Sequence, residues 1–290
     1  MNDSAVFPDG PDGAAHVARV VRWLAEDLGT GDVTTEAIVP HDARAEALWV
    51  AKSEGVFAGA DEALTVFRAL DPRLEWQPQV AEGAWVAAGT ELVRFAGRGR
   101  AVLSGERVAL NIAQRMSGIA TATRACVRAV EGTGARILDT RKTVPGLRDL
   151  DKKAVAIGGG SNHRMGLYDM AMIKDNHIVA AGGIGAAVAA VRAHAPGVPV
   201  EVEVTGFDEL EQALAAGVEW IMLDNMPPAQ MAEAVRRVAG RARLEASGNV
   251  NLETIRAVAA SGVDFISLGA LTHSVTAFDI SQRLTGLRLG

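Results

Sequence analysis

Residues 136–177 read RILDTRKTVPGLRDLDKKAVAIGGGSNHRMGLYDMAMIKDNH. The stretch opens with a short apolar strand, Arg136 to Thr140, that runs directly into Arg141 and Lys142. It closes with a second, Ala171 to Ile173, that runs into Lys174, Asp175 and His177. Between them stand Arg148, Lys152, Lys153, His163 and Arg164, with Pro145 and Gly158-Gly159-Gly160 allowing tight turns. A strand end is a fixed point, so cations placed there are aimed. Arginine makes a planar fork that matches carboxylates and phosphates, and lysine supplies a compact point charge. The whole chain carries a net charge of -6, so this basic cluster stands against the global balance. That pattern favours a small, highly anionic ligand over nucleic acid, which calls for a broadly basic face. Asp149, Asp151 and Asp169 also lie here, so a solvated loop of mixed charge is the alternative.

C-terminal to this stretch the chain repeats strand then helix. Including the two strands above, the strands read Ile137–Asp139, Met172–Lys174, Val200–Val204, Trp220–Asp224, Leu244–Ser247 and Phe265–Gly269. Helical patterns such as Phe207–Ala216, Pro228–Ala239 and Leu252–Ser261 fit between them. This alternation predicts parallel strands joined by right-handed crossovers. The strands end in Thr140-Arg141-Lys142, Lys174, Glu203, Asp224, Ser247-Gly248-Asn249 and Gly269-Ala270-Leu271. Functional groups at every strand end suit the C-terminal face of a barrel. An open sheet would gather them near one switch point.

N-terminal to it the pattern differs. Residues 1 to about 11 read as a frayed polar tail without the basic and apolar regions of a signal peptide. Val17, Val20, Val21, Leu24 and Leu28 recur at helical spacing over 14–28, and Gly29-Thr30-Gly31-Asp32 ends that helix. Strands are expected at 47–51, 55–58 and 91–95, a hairpin at 83–89 and a helix at 61–70. Segregated strands and helices make this an α+β domain. A long helix runs from Ser104 to about Val130, with Arg107 and Arg115 off its apolar face. The domains are placed at 1–115 and 116–274, and the amphipathic tail 275–290 is expected to pack back on the first.

Bulk properties agree with an ordinary globular chain. The 290 residues are 49% hydrophobic, ample for a core, and only 4% aromatic, so that core is aliphatic. The single cysteine, Cys126, excludes an internal disulfide and a Cys-rich zinc site. No apolar run approaches the ~20 residues of a membrane span, so a soluble cytoplasmic protein is expected, with no membrane or nucleic-acid partner.

Glu203 and Asp224 end successive strands, which in a parallel sheet lie about 4.8 Å apart. They can share a hydrated Mg²⁺, or one can pair with Lys142 or Lys174. Glu201 has the same parity as Glu203 and points the same way; a pairing with Lys174 is expected. Ser247-Gly248-Asn249 and Gly269-Ala270-Leu271 are small-residue turns of the kind that present backbone N–H groups to phosphate. Gly182-Gly183-Ile184-Gly185 follows a helical stretch and not a strand, so it is not a dinucleotide loop.

DTRKT at 139–143 and GGGSNHRMGLYDMAMIKDNH at 158–177 resemble quinolinate phosphoribosyltransferase (nicotinate-nucleotide pyrophosphorylase, carboxylating). The likeness continues in order through EDLGTGDVTT, ERVALNIAQRMSGIAT, EVEV, MLDN, LEASGN and ISLGALTHS. The resemblance implies a six-stranded α/β barrel of phosphoribosyltransferase type II behind an N-terminal α+β sandwich domain. It implies transfer of phosphoribosyl from phosphoribosyl diphosphate to quinolinate, with Mg²⁺ and loss of CO₂. Arg141, His163, Arg164 and Lys174 would then take the dicarboxylate, and Lys142 and the two turns the phosphates. Thr140 and His273 would also bind substrate. Glu203 and Asp224 would hold the metal through water and, with Lys142, act in catalysis. Arg107 would reach into the active site of the partner in a homodimer, higher oligomers remaining open. SGN replaces the more usual SGG of the family, a change Asn tolerates because it adopts left-handed backbone. A barrel lyase with Lys142 or Lys174 as Schiff-base nucleophile, a phosphosugar sensor, and a relative acting on another pyridine acid are the competing readings.

Overall fold

The structure, a computed structural model, describes residues 13–289, so the tail expected over 1 to about 11 lies outside the described residues. The chain forms two compact units. One comprises residues 13–122, Asp149–Gly158 and residues 275–289; the other comprises Thr123–Arg148 and Gly159–Ser274.

The first unit opens with α1 (Gly13–Leu28) and α2 (Val33–Ile38), followed by β1 (Arg44–Ala51), β2 (Gly55–Val56), α3 (Ala60–Leu70), β3 (Glu75–Pro78), β4 (Trp85–Val86) and β5 (Glu91–Arg98). Helices α4 (Gly99–Ser104) and α5 (Glu106–Ala129) then lead into the second unit. Asp32 caps α2, its Oδ1 accepting the Thr35 N–H at 2.9 Å, which accounts for EDLGTGDVTT as a helix junction. On α1, Val20 and Leu24 are buried while Val17 and Val21 stay half-exposed.

The second unit begins with β6 (Arg136–Leu138). Helix α6 (Arg148–Ile157) comes next, and all but its first residue belongs to the first unit. Then follow β7 (Ala171–Ile173), α7 (Asp175–Ala181), α8 (Ile184–His194), β8 (Val200–Val204), α9 (Phe207–Ala215), β9 (Trp220–Asp224), α10 (Pro228–Val238), β10 (Arg243–Ser247), α11 (Ile255–Ala260), β11 (Phe265–Ser267) and α12 (Ala270–His273). The six strands pair in parallel in the order β6-β11-β10-β9-β8-β7, forming the α/β barrel. Gly182 and Gly183 join α7 to α8. Among the described residues no single helix is long and apolar enough to cross a membrane.

The chain closes with β12 (Ile280–Arg288), which returns to the first unit and pairs antiparallel with β1. The resulting sheet has the order β12-β1-β5-β3. Segments around this strand pack tightly: a Cβ at Gly118 of α5 would overlap the Thr276 carbonyl. Trp49 sits at the centre of this unit's core, fully buried. Its ring lies 6.1, 5.8 and 6.2 Å from Phe67, Trp76 and Phe95, and its Nε1–H donates to Gln282 Oε1 at 2.9 Å. The few aromatics of the chain are thus concentrated where they bury most area per residue.

The charges inside 148–153 do not behave as aimed cations. This segment is helix α6, whose turn hides Asp151 and Lys152 while exposing its other face. Arg115 makes a two-pronged bond to Asp151, 2.8 Å on each side. Lys153 pairs with Glu62 at 2.7 Å, and Arg148 donates to Thr143 Oγ1 and the Met165 carbonyl. These side chains fasten backbone and helices. Their period is helical, and reading the stretch as loop concealed it.

Replacing Trp49 with Ala is expected to destabilise the chain by ~3–5 kcal/mol, the range for emptying a large aromatic site. Urea unfolding followed by circular dichroism measures it; a loss below 1 kcal/mol, roughly a surface effect, would refute the central role of Trp49.

Candidate active site

The strand ends of the barrel enclose a cavity of about 700 Å³. Thr140, Arg141 and Lys142 enter it after β6, Lys174 after β7, Glu203 from β8 and Asp224 from β9. Ser247 ends β10 and Gly248 and Asn249 follow it, and Gly269, Ala270 and His273 follow β11. His163 and Arg164 come from the segment between α6 and β7. Two residues singled out from the sequence are not in the lining. Leu271 is buried on the inner side of α12. Arg107 belongs to the other unit, exposed on α5 with Glu106 at 4.0 Å. The lining also contains Asn225, Glu245 and Ser267, which sequence reasoning missed. Glu245 could have been found: it has the parity of Ser247 in an apolar strand, where a buried carboxylate needs a partner.

Strand register decides the ion pairs. Met172 is opposite Glu201 and Ile173 opposite Val202, so Lys174 falls level with Glu203. Their side chains meet at 2.5 Å. The expected Glu201–Lys174 pair is therefore absent. Glu201 is fully buried and faces His163 Nε2 at 3.1 Å, and Glu245 approaches the same nitrogen at 3.3 Å.

The imidazole feels opposing influences. Burial pulls its pKa down, and the hydrogen bonds and charges of Glu201 and Glu245 more than offset this, raising it to about 10. Yet the Arg164 backbone N–H points at Nδ1 at 2.7 Å and requires a lone pair there. Burial and the charge of Glu245 push Glu201 up to about 7. The contact from the Arg164 N–H fixes Nδ1 as the acceptor and leaves Nε2–H as the donor to Glu201 Oε2. We rest this tautomer on the hydrogen-bond geometry.

Arg141 and Arg164 are the cations with capacity to spare. Arg141 Nε is buried and has no hydrogen-bond partner among the described residues. Burial lowers the Arg164 pKa, and the neighbouring Arg141 charge lowers it further. Two guanidinium groups close enough to oppose one another call for an anion to relieve them.

Lys142 is pinned through its backbone. Its N–H donates to Thr140 Oγ1 at 3.1 Å, and its carbonyl accepts from Thr272 Oγ1 at 2.9 Å. Its side chain lies along Gly269, where a Cβ would press against Lys142 and the His273 ring. The SGN turn is equally constrained. Gly248 has φ +90° and a Cβ there would overlap the Asn225 carboxamide. Asn249 holds φ 52°, and its Nδ2 donates to Asn225 Oδ1 at 3.0 Å. Asn225 Nδ2 in turn donates to Asp224 Oδ2 at 3.0 Å.

Comparison with known proteins places this geometry. Profiles of the N-terminal and C-terminal domains of quinolinate phosphoribosyl transferase match residues 32–117 and 119–283. A nicotinate-nucleotide pyrophosphorylase (carboxylating) of Mycobacterium leprae is 47% identical over 271 residues, 91% of this chain and 95% of that one. A probable enzyme of the same name from Synechocystis is 46% identical over 268 residues, covering 91% and 90%. The crystal structure of NadC from Streptococcus pyogenes superposes with a TM-score of 0.92 at 40% identity, covering 97% of this chain and 99% of that one. With both domain profiles matched in order and identity near one half across the chain, this protein belongs to the quinolinate phosphoribosyltransferase family.

Proposed function

We propose that the chain transfers the phosphoribosyl group of phosphoribosyl diphosphate to quinolinate, giving nicotinate mononucleotide, diphosphate and CO₂ in NAD biosynthesis. The observation that carries the reading is one cavity in which the under-satisfied Arg141 guanidinium, a neighbouring Arg164, lysines, carboxylates and two small-residue turns meet. The activities named for the relatives agree with it.

Arg141 and Arg164, with Lys174 beside them, bind the two carboxylates of the pyridine acid. Lys142 and the turns at Ser247–Asn249 and Gly269–Ala270 bind the diphosphate and 5-phosphate. The pyridine nitrogen attacks C1 of the ribose as the bond from C1 to the diphosphate oxygen breaks. Positive charge develops on the ribose, and Glu203 and Asp224 stabilise it electrostatically. Once alkylated, the ring nitrogen is cationic, and its charge stabilises the electron pair left on the adjacent carbon when that carbon's carboxylate departs as CO₂; a proton then takes up that pair. The protein's contribution is positioning and charge, with no side-chain nucleophile. Lys174 is ion-paired to Glu203, which does not suit a neutral Schiff-base amine.

Glu203 and Asp224 offer carboxylate oxygens from neighbouring strand ends, the hard donors that a hydrated Mg²⁺ takes, and so they fit that ion. Bound there it would neutralise charge on the departing diphosphate. We further infer a cytoplasmic homodimer with shared active sites, in which Arg107 of each subunit serves the other's dicarboxylate.

Incubation with quinolinate, phosphoribosyl diphosphate and Mg²⁺ is expected to yield CO₂ and nicotinate mononucleotide in equal amounts, and EDTA to abolish both. Absence of nucleotide would reject the reaction; undiminished turnover in EDTA would reject the metal. Gly248→Ala is expected to raise the KM for phosphoribosyl diphosphate ~10- to 100-fold, as sub-ångström displacement of a binding turn does, while quinolinate affinity holds. Equal losses for both substrates would contradict the assignment of this turn to phosphate. Arg107→Ala and Lys142→Ala should each be inactive alone, and mixed dimers of the two should regain activity. No recovery on mixing would rule out shared sites.

A further inference from the structure

Two buried carboxylates at the inner wall of the cavity have no part in the chemistry above. Glu201 on β8 and Glu245 on β10 are both 0% exposed. Each faces Nε2 of His163, at 3.1 and 3.3 Å. The other ring nitrogen accepts the Arg164 backbone N–H at 2.7 Å. The His163 backbone N–H donates to Asp139 Oδ1 at 2.8 Å, and Asp139 is buried as well. Both ring nitrogens are therefore committed inside the protein, and the residue is only 6% exposed. A bound dicarboxylate finds no ring nitrogen to engage.

Arg164 is placed differently. Its backbone is tied to His163 and its Nη1 donates to the Met170 carbonyl at 3.0 Å. The guanidinium also borders the cavity. A long side chain on an irregular segment loses substantial entropy when ordered, and an anchored backbone lowers the part of that cost that ligand binding must offset.

We propose that His163, Glu201 and Glu245 are positioning residues for Arg164: Glu201 accepts from the imidazole and Glu245 flanks the same nitrogen at 3.3 Å, the imidazole holds the Arg164 backbone, and the guanidinium meets the substrate carboxylate already in place. The substrate part of this inference rests on the dicarboxylate reading of the cavity. It removes His163 from the residues that touch the ligand. The three groups also come within 4.8 Å of one another in a way that could hold a metal ion, and the test separates the two ideas.

The experiment is a double-mutant cycle on quinolinate binding, measured by calorimetry with the full chain. Glu245→Gln and His163→Leu are each expected to weaken quinolinate on the order of 10-fold, the scale of losing a supporting partner. Phosphoribosyl diphosphate should bind within about twofold of wild type, inside the scatter of independent sites. In an Arg164→Ala background neither change should cost anything more, because the effect runs through Arg164. Additive losses would mean that His163 touches the ligand, and would overturn the proposal. So would unchanged quinolinate binding accompanied only by a lower unfolding midpoint. One equivalent of divalent metal in the purified wild type, lost in Glu245→Gln, would replace the proposal with a metal site. Should Glu245→Gln fail to fold, His163→Asn, which keeps an acceptor near the Nδ1 position, is expected to bind better than His163→Leu; equal losses would count against the proposal. Should the wild type not bind quinolinate at all, the functional reading fails and the cluster is judged alone. The Arg164 Nε–H signal in ¹⁵N NMR should then be sharp in wild type and broadened in Glu245→Gln, and no change would refute the positioning role.

Discussion

The active site depends on one geometric constraint, the pairing register of short parallel strands. A strand places alternate residues on opposite faces, so each barrel strand sends a fixed parity inward. The residue at or just beyond the last paired position then stands at the rim. This is why Lys174 meets Glu203 and not Glu201: it continues the alignment of Met172 with Glu201 by two residues. The same rule puts Asp224 opposite Ser247 at the adjoining strand end. A slip of one residue in any strand would turn a cavity residue outward.

Below the rim the same parity creates a problem that the fold solves with chemistry. Glu201 and Glu245 point into the barrel and are fully buried. Buried carboxylates are costly without partners. His163 supplies the partner, arriving on an irregular segment that is pinned to Asp139 and bridged to β6 through Ser161. The polar interior thus rests on three charged or polar side chains from distant points of the sequence. The rim above it carries the cations with unused capacity, Arg141 and Arg164. Below the rim the polar groups face one another, while at the rim Arg141 keeps a buried donor without a hydrogen-bond partner.

The N-terminal unit is built on a different economy. Its aromatic residues are gathered around Trp49, and its last strand is supplied by the chain terminus pairing along β1. Helix α6, inserted in the sequence between two barrel strands, belongs to this unit and carries the ion pairs to Arg115 and Glu62. Sequence proximity therefore misleads here: Arg148, Lys152 and Lys153 lie in the most basic part of the chain, yet they serve structure.

Much was legible in the residues alone. The barrel strands, their order along the chain and the polar groups at their ends follow from local patterns: short apolar runs, alternation of strand and helix, and breakers at the turns. These are decided by backbone sterics and by side-chain burial within a few residues. Family motifs supplied the identity. The ion pairs were not legible. Which cation meets Glu203, what neutralises Glu201 and Glu245, and whether His163 faces the ligand or the interior all depend on register between strands far apart in sequence. Nor could the helix α6 be assigned to its unit from local pattern. Local propensity sets what an element is; only the folded arrangement decides its neighbours, because pairing energy is earned across the barrel and sheet and not along the chain.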